Sequence, residues 1–144
     1  MADDATYEPS PWDWVANQVE KYESSGGTDG LLLEGVPCVI LTTTGRKTGK
    51  LRKSPLMRVE HDGTYAVVAS MGGAPKHPVW YLNLLEHPDV TIQDGPEVRQ
   101  ARARVASPEE KREWWPRATA VWPQYDEYQA ATDREIPVII VEPT

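Results

Sequence analysis

Near its end the chain carries the run Ile136-Pro-Val-Ile-Ile-Val141, which is continuously apolar and rich in β-branched side chains. A strand with one solvated face would alternate apolar and polar residues, so this run predicts a strand that is buried on both faces. Such a strand needs hydrogen-bonded neighbours on each side and packed layers above and below it. The sequence therefore predicts a sheet with a central last strand, built within a single domain over residues 1–144, a length that can bury a substantial core.

The neighbours of this strand are predicted between residues 31 and 106, where short β-type runs alternate with turn residues. The turn signals His-Asp-Gly-Thr at residues 61–64 and Asp-Gly-Pro at residues 94–96 join consecutive runs, which indicates antiparallel hairpins. The α+β fold that follows has five to six mainly antiparallel strands, closed or nearly closed into a barrel with helices around it. The predicted strands cover residues 38–44, 51–60, 64–70, 90–93, 97–106 and 136–141.

The N-terminal part of the chain predicts a helix. Residues 1–9 are acidic and irregular and are expected to be disordered, whereas Ser10-Pro11 offers an N-cap and a first-turn proline for a helix over residues 10–26. The helical spacing of its apolar residues favours packing on the barrel. The alternative is contact with a partner or, peripherally, with a membrane surface through Trp12 and Trp14.

Two more helices are predicted further along the chain. Residues 78–88 place Val79, Leu82 and Leu85 on one helical face, with Trp80 and Leu84 adjoining it. Residues 107–110 form a capping-box pattern, Ser-Pro-Glu-Glu, which predicts a helix that runs to about residue 123.

A basic cluster, defined here as Arg46, Lys47, Lys50, Arg52 and Lys53, lies in a segment without acids although the whole chain has a net charge of −7. Concentrated like charge is costly through self-repulsion, so the cluster predicts a bound anion. Interleaved glycines and threonines suit a compact phosphate or carboxylate better than nucleic acid, which needs basic charge spread over many phosphates. The spacing matches neither a Walker loop nor a dinucleotide fingerprint. Taken alone, a solvated lysine-arginine hairpin is about as consistent with this pattern.

Several other chemistries have little support. The chain has no Gly-x-Ser-x-Gly motif, its three histidines are scattered, and its one cysteine, Cys38, lies in an apolar run, so neither a hydrolase nor a metal site is expected. A chain in which no catalytic acid, base or nucleophile stands out suits a reaction whose chemistry resides in a bound cofactor. No signal peptide and no apolar run of about 20 residues is evident, so a cytoplasmic location is expected.

Two further segments could belong to a cofactor site. Residues 69–78 contain the pair Gly72-Gly73, which would expose backbone amides to a ring or phosphate, although an ordinary strand-to-helix connection explains the pair equally well. Residues 114–128 concentrate tryptophan and tyrosine, which suits a pocket for an aromatic ligand as well as core packing.

These segments carry a resemblance to a known family. Thr-Thr-Thr-Gly-Arg-Lys-Thr-Gly-Lys-Leu-Arg at residues 42–52, Ala-Ser-Met-Gly-Gly-Ala-Pro-Lys-His-Pro-Val-Trp-Tyr-Leu-Asn at residues 69–83 and Trp-Pro-Gln-Tyr-Asp-Glu-Tyr at residues 122–128 resemble the actinobacterial deazaflavin-dependent nitroreductases. The resemblance covers nearly the whole chain. It implies a split β-barrel of the FMN-binding type that binds coenzyme F420, an 8-hydroxy-5-deazaflavin, and reduces a quinone or nitroaromatic. It also suggests a homodimer. Two alternatives stay open: FMN as the cofactor, and a non-catalytic cofactor carrier.

The resemblance also implies roles for individual residues. Contacts with the anionic phosphate and polyglutamate tail fall on Lys47 and Arg52, with Arg46, Thr48, Gly49 and Lys53 nearby. The deazaflavin ring and its linker would be bracketed by Pro55, Met57, Ala69, Ser70, Gly72, Gly73, Lys76, Pro78, Trp80 and Tyr81.

On the acceptor side, the resemblance places Ser70 near the hydride-bearing carbon and gives Tyr125 and Tyr128 the role of substrate-pocket tyrosines, one of which donates a proton or hydrogen bond. Met57 and Trp122 complete the predicted pocket. Relatives active on bicyclic nitroimidazoles carry tyrosine at these last two positions. A less polar pocket favours quinone-type acceptors.

Overall fold

The structure of the chain, a computed structural model, describes residues 6–144. Within that range the strands are β1 (Leu32–Leu33), β2 (Val36–Thr44), β3 (Leu51–Met57), β4 (Val59–His61), β5 (Thr64–Val68), β6 (Asp89–Asp94), β7 (Glu97–Val105) and β8 (Val138–Pro143). The helices are α1 (Asp13–Ser24), α2 (Val79–Glu86), α3 (Pro108–Val121) and α4 (Gln124–Ala130), and a 3-10 turn spans Met71–Gly73. The predicted α+β class is confirmed.

One broken strand closes the sheet into a barrel. β3 pairs with β2, β4 pairs with β5, and only Arg58 separates β3 from β4. The remaining antiparallel neighbours run in the order β2-β6-β7-β8-β5, so the hydrogen-bonded series returns to the strand on which it began. Arg58 marks the crossing, because its main-chain N–H donates to Pro37 O (2.9 Å) and its Nε lies 3.0 Å from each carboxylate oxygen of Asp94.

A single apolar cluster fills the interior of the barrel. It takes alternate residues from β2, β5, β6, β7 and β8, which only the inner face of a closed sheet can bring together. Leu84 of α2 joins the cluster, so this helix covers one end of the barrel. The buried members are Val39, Leu41, Tyr65, Val67, Leu84, Val90, Ile92, Ala101, Ala103, Ile139 and Val141.

An outer cluster explains why β8 is apolar on both faces. Val138 and Ile140 point away from the barrel interior and pack beneath Trp114 of α3 and Tyr125 of α4. β8 also lies between β7 and β5 in the sheet. The prediction of a central, doubly buried last strand is therefore confirmed.

The predicted hairpins are confirmed, but one predicted strand is divided. His61 pairs with Thr64 and Asp94 pairs with Glu97 across the two expected turns. The strand predicted over residues 51–60 breaks at Arg58, because the chain changes its partner from β2 to β5 there. The strand predicted over residues 64–70 ends at Val68, since the carbonyl groups that follow accept hydrogen bonds from an arginine instead of a strand.

The N-terminal prediction needs two corrections. Residues 6–8 were expected to be disordered, but they lie beside β3, where Leu51 N donates to Thr6 O (2.8 Å) and Glu8 N donates to Leu51 O (2.9 Å); residues 1–5 lie outside the described part of the chain. The helix begins at Asp13, because the Ser10 hydroxyl accepts from Trp12 N and does not cap the helix at residue 10. Among the described residues, no helix is long and apolar enough to cross a bilayer.

The predicted apolar side of α2 is buried only in part, on the side of Leu84. Val79 and Leu85 are 65% and 51% exposed, whereas Asn83 and Leu84 are buried. The helix covers the end of the barrel through this narrower face, so apolar spacing alone did not identify the residues in contact. The capping box at Ser107 is confirmed, with both reciprocal hydrogen bonds formed to Glu110. α4 was not predicted, because its seven residues follow a proline and carry no clear apolar stripe.

α1 packs against the outer face of β2, as its apolar spacing predicted. Tyr22 is fully buried there, and its hydroxyl donates toward Cys38 O (3.1 Å) and Gln93 O (3.3 Å) and accepts from Gly95 N (2.6 Å). One phenol therefore joins the helix to β2, to β6 and to the turn before β7.

We expect Tyr22→Phe to lower the free energy of unfolding by about 1–3 kcal/mol, because the substitution leaves buried backbone groups without their partner. Urea unfolding followed by circular dichroism measures this change. Tyr7→Phe is the control, since no hydrogen bond of the Tyr7 hydroxyl is found among residues 6–144. Equal effects of the two substitutions would contradict the role given to the Tyr22 hydroxyl.

Candidate functional site

The basic loop, residues 45–50 between β2 and β3, is closed by its own backbone. Gly45 N donates to Lys50 O (2.7 Å) and Gly49 N donates to Gly45 O (2.8 Å). Asn83 of α2, which is 2% exposed, accepts from Arg46 N (3.1 Å) and donates to the Thr43 hydroxyl (3.3 Å). The loop is thus fixed to the helix that covers the barrel end. The sequence offered no sign of this anchor, because Asn83 looks like an ordinary helical residue.

The structure divides the basic cluster into paired and exposed charges. Glu8 pairs with Arg52 and lies 3.8 Å from Lys50. Lys53 is held on the α1 side, where its Nζ is 2.6 Å from the Glu23 carboxylate.

Arg46 and Lys47 are exposed at the tip of the loop, and no carboxylate partner for either is found among the described residues. The charge open to an anionic ligand is concentrated there. The ion pair of Lys53 with Glu23 favours a role in the packing of α1, and not the predicted contact with the cofactor tail.

A turn after β5 presents backbone donors. Ser70 has right-handed backbone angles (φ −79°, ψ −38°) and Met71 has a left-handed φ of 48°, a succession that directs neighbouring N–H groups into one concavity. Among the described residues, the N–H groups of Ser70, Met71 and Gly72 make no hydrogen bond. Gly73 is required here, since a Cβ would lie 3.0 Å from the Tyr128 carbonyl oxygen. The turn therefore lies directly against α4.

Arg134, which the sequence reasoning missed, holds the other side of this turn. Its Nε donates to Ala74 O (2.8 Å), its Nη1 to Ala69 O (3.0 Å) and its Nη2 to Ser70 O (2.7 Å). Nη1 also lies 3.1 Å from His77 Nδ1. No sequence pattern links residue 134 to a turn some 60 positions earlier, so this contact could not have been predicted.

The tautomer of His77 follows from this contact. A guanidinium group only donates, so Nδ1 must accept and the neutral ring carries its proton on Nε2. Burial and the charge of Arg134 both lower the pKa of His77. The imidazole ring of His77 packs on the Tyr81 ring, and the two ring centres are 4.7 Å apart. Through Tyr81, His77 is in contact with α2.

The aromatic end of the site lies on α4. Tyr128 is half-buried, and its hydroxyl accepts from Trp122 Nε1 (3.2 Å). Tyr125 is only 5% exposed and packs between Trp115 and Tyr128, with ring centres 6.2 Å from each. Burial, with a smaller contribution from Tyr128, raises the pKa of Tyr125, which therefore stays a neutral phenol at physiological pH. Met57 packs on the same aromatic cluster.

The structure brings most of the predicted site residues into one series of contacts. The series runs from the basic loop through α2, Tyr81 and His77 to the turn at Ser70, and from Gly73 to Tyr128. Trp80 packs against the barrel interior, while Lys76 is exposed without a contact in the described residues.

Two clefts lie away from this series of contacts. One of about 500 Å³ lies between α3 and the segment before β8, and the other, of about 220 Å³, lies between the N-terminal segment and α1. Neither includes a residue that was predicted to contact the cofactor or substrate.

Fold and site together define a split β-barrel protein with an exposed basic loop, a turn of unpaired backbone donors and a tyrosine cluster. The sequence profile of the F420H(2)-dependent quinone reductase family matches residues 14–143. The chain belongs to this family. The oxidoreductase class and the coenzyme F420 dependence expected from the resemblance are confirmed.

Individual relatives agree with this assignment. Rv3178 of Mycobacterium tuberculosis, to which F420H(2)-dependent quinone reductase activity is ascribed, is 41% identical over 108 residues, covering 75% of this chain and 91% of that protein. The solved structure of the F420-H2 dependent reductase FDR-A is 54% identical in sequence and has a TM-score of 0.70. The match covers 74% of this chain and 94% of the FDR-A chain. Another solved structure, described as a domain-swapped dimer, is 51% identical with a TM-score of 0.73, covering 92% of this chain and 100% of its own.

We expect the free energy of unfolding to decline as the pH falls below about 6.5, because the unfolded chain then binds a proton that folded His77, with its lowered pKa, resists. His77→Gln should reduce this decline, since the amide oxygen can still accept from Arg134 without titrating. Urea unfolding at several pH values between about 7.5 and 5 measures the effect. The control, substitution of the exposed His87 by Gln, should keep the wild-type decline, and identical profiles of all three proteins would contradict the expectation.

Proposed function

We propose that this protein transfers a hydride from reduced coenzyme F420 to a quinone, with the deazaflavin ring on the turn at Ser70 and its anionic tail on the basic loop. The continuous series of contacts from that loop to Tyr128 is the observation that carries the proposal. It supplies anion-binding charge at one end, backbone donors in the middle and a phenol at the other end. The family description supports the quinone as acceptor.

The residues present fit this cofactor better than FMN. Arg46 and Lys47 lie exposed at the tip of the basic loop, while Lys50 and Arg52 share the single carboxylate of Glu8, so the loop keeps an excess of positive charge. A phosphate followed by several carboxylates matches that excess more fully than one phosphate does. The free N–H groups of the turn are suited to the electron-rich oxygen atoms of a deazaflavin ring. Bound F420 supplies the hydride.

The chain's own residues manage the proton. Reduction of a quinone by one hydride leaves a negative charge on an oxygen atom, and one further proton completes the hydroquinone. We assign this donation to Tyr128, because its oxygen accepts from Trp122 Nε1 and its own hydrogen has no acceptor among the described residues. Tyr125 lies beneath it as a neutral phenol and holds its ring edge-on, at an interplanar angle of 75°.

The Tyr128→Phe variant should lower kcat by about ten- to a hundredfold and leave the dissociation constant of F420 nearly unchanged, because it removes a donor that acts on the reacting acceptor. Tyr125→Phe should lower kcat less, since its hydroxyl lies deeper. Stopped-flow oxidation of reduced F420 and fluorescence quenching by the oxidised cofactor separate the two quantities. Equal losses in kcat and in binding would contradict the role of Tyr128.

Replacing Arg46 and Lys47 together by alanine should weaken F420 binding by at least about tenfold, and the loss should shrink as salt screens the wild-type contacts. Lys53→Ala should have a much smaller effect, because its side chain is held by Glu23 on the α1 side. Fluorescence titration at low and high ionic strength measures both. Arg102→Ala, an exposed substitution on the outer face of β7, controls for the loss of a positive charge away from the loop. Unchanged affinity of the double variant would remove the loop from the site.

Turnover separates the enzyme from a cofactor carrier. When an excess of reduced F420 is mixed with the protein and menadione, each protein molecule should oxidise many molecules of the cofactor. A carrier would bind the cofactor without oxidising it. A nitroaromatic acceptor is tested in the same assay. Reduction of the nitroaromatic but not of menadione would reassign the acceptor class.

We further propose that the chain forms a homodimer, an assembly that the domain-swapped neighbour supports.

Trp12 and Trp14 lie at the start of α1 with 59% and 55% of their surface exposed. Peripheral membrane contact through these two indoles stays a prediction, as does the cytoplasmic location.

A further inference from the structure

Arg134 makes contacts that the proposed reaction does not use. Its guanidinium group donates to three main-chain carbonyl oxygen atoms and faces His77 Nδ1, and all four acceptors belong to residues 69–77. No carboxylate pairs with it among the described residues. Arg134 is half-buried, and burial lowers its pKa. Because its N–H groups donate to neutral carbonyl groups and not to a carboxylate, the side chain is fixed in place by the backbone that it binds.

The geometry of the guanidinium sets the geometry of the turn. Nε, Nη1 and Nη2 lie in one rigid plane, so Ala74 O, Ala69 O and Ser70 O must approach in that plane. The carbonyl groups are thereby held at the guanidinium, while the N–H groups of residues 70–72 keep no hydrogen-bond partner among the described residues. Met71 is the one non-glycine residue of this turn with a left-handed φ (48°), a conformation that persists only where the surrounding structure supports it.

Arg134 also connects this turn to the tyrosine helix. It lies in the segment between α4 and β8, a few residues after Tyr128. The Gln129 side chain fixes the same segment, because its Nε2 donates to Arg134 O (2.9 Å) and its Oε1 accepts from Ile136 N (2.9 Å). The turn at Ser70 and the phenol of Tyr128 are therefore held relative to each other through one residue.

We infer that Arg134 is a positioning residue for hydride transfer, which holds the Ser70–Gly73 turn and α4 at the separation that the cofactor ring and the acceptor require. The inference rests on the proposed function for its kinetic consequence only. Arg134 acts through the turn and α4, while the anionic tail of the cofactor is bound elsewhere, on the loop at residues 45–50. Its loss should therefore lower turnover more than cofactor affinity.

The kinetic test compares Arg134→Ala, Arg134→Lys and the wild type. We expect Arg134→Ala to lower kcat with menadione by about tenfold or more, the effect of a misplaced reacting pair, while the F420 dissociation constant changes by less than about threefold. Arg134→Lys should stay impaired, because an ammonium group cannot reach three coplanar acceptors. Millimolar guanidinium, far below denaturing concentrations, should restore part of the turnover of Arg134→Ala without raising that of the wild type. Arg102→Ala is the control and should behave as the wild type.

A second readout needs neither cofactor nor activity. Hydrogen–deuterium exchange of Arg134→Ala should speed up within residues 69–77 at the hydrogen-bonded amides of Ala69, Gly73 and Ala74. Exchange should stay unchanged in the β6–β7 hairpin, and guanidinium should slow it again in residues 69–77. If Arg134→Ala does not fold, Arg134→Lys carries both measurements. Unchanged exchange in residues 69–77 would overturn the inference, as would equal losses of turnover and cofactor affinity. A wild-type protein without quinone reductase activity would remove the proposed function, while the exchange experiment would still decide whether Arg134 holds the turn.

Discussion

The change of partner at Arg58 is the constraint on which the rest of the structure depends. β3 and β4 are one strand that pairs first with β2 and then with β5, and this change converts an open sheet into a barrel. Asp94 holds the crossing, because it accepts from Arg58 Nε (3.0 Å) and from the Tyr65 hydroxyl (2.6 Å). The same network raises the pKa of Tyr65 to about 12, chiefly through burial and then through its hydrogen bond to Asp94. Once the ring is closed, apolar side chains fill its interior and the functional segments can lie only on its rim and outer face.

The N-terminal segment changes how the basic cluster should be understood. Five neighbouring cations look like one anion site in the sequence, yet two acids from outside the cluster divide them. Glu8 lies beside β3 and pairs with Arg52, and Glu23 of α1 pairs with Lys53. Such partly exposed pairs contribute little stability, about 0–1 kcal/mol each. Their larger effect is on the distribution of charge, because the exposed tip of the loop keeps its positive potential while the strand beneath it is neutralised.

The sequence predicted features that depend on local pattern and missed those that depend on distant partners. The apolar run at residues 136–141 and the capping box at Ser107 specify their environments within a few positions, so a central strand and a helix start could be predicted. Asn83 and Arg134 act on backbone groups about 40 and 60 positions away, and nothing in their own neighbourhood marks them. The roles of Ser70 and Tyr128 came from the family resemblance, because a serine and a tyrosine carry no chemical signature of their own.

In a site without an evident nucleophile or strong catalytic acid, the reaction depends mainly on how the reactants are oriented. The cofactor carries the hydride, so the protein's main contribution is to orient the cofactor and the acceptor. Orientation requires rigid support, and the described contacts supply it from both sides of the turn: Arg134 holds the carbonyl groups, and Gly73 lets α4 approach to within 3.0 Å of where a Cβ would lie. A glycine-rich turn on its own would be flexible. In the proposed site, the glycines supply the backbone flexibility needed to approach the cofactor ring, and Arg134 and the contact with α4 supply the rigidity needed to orient it.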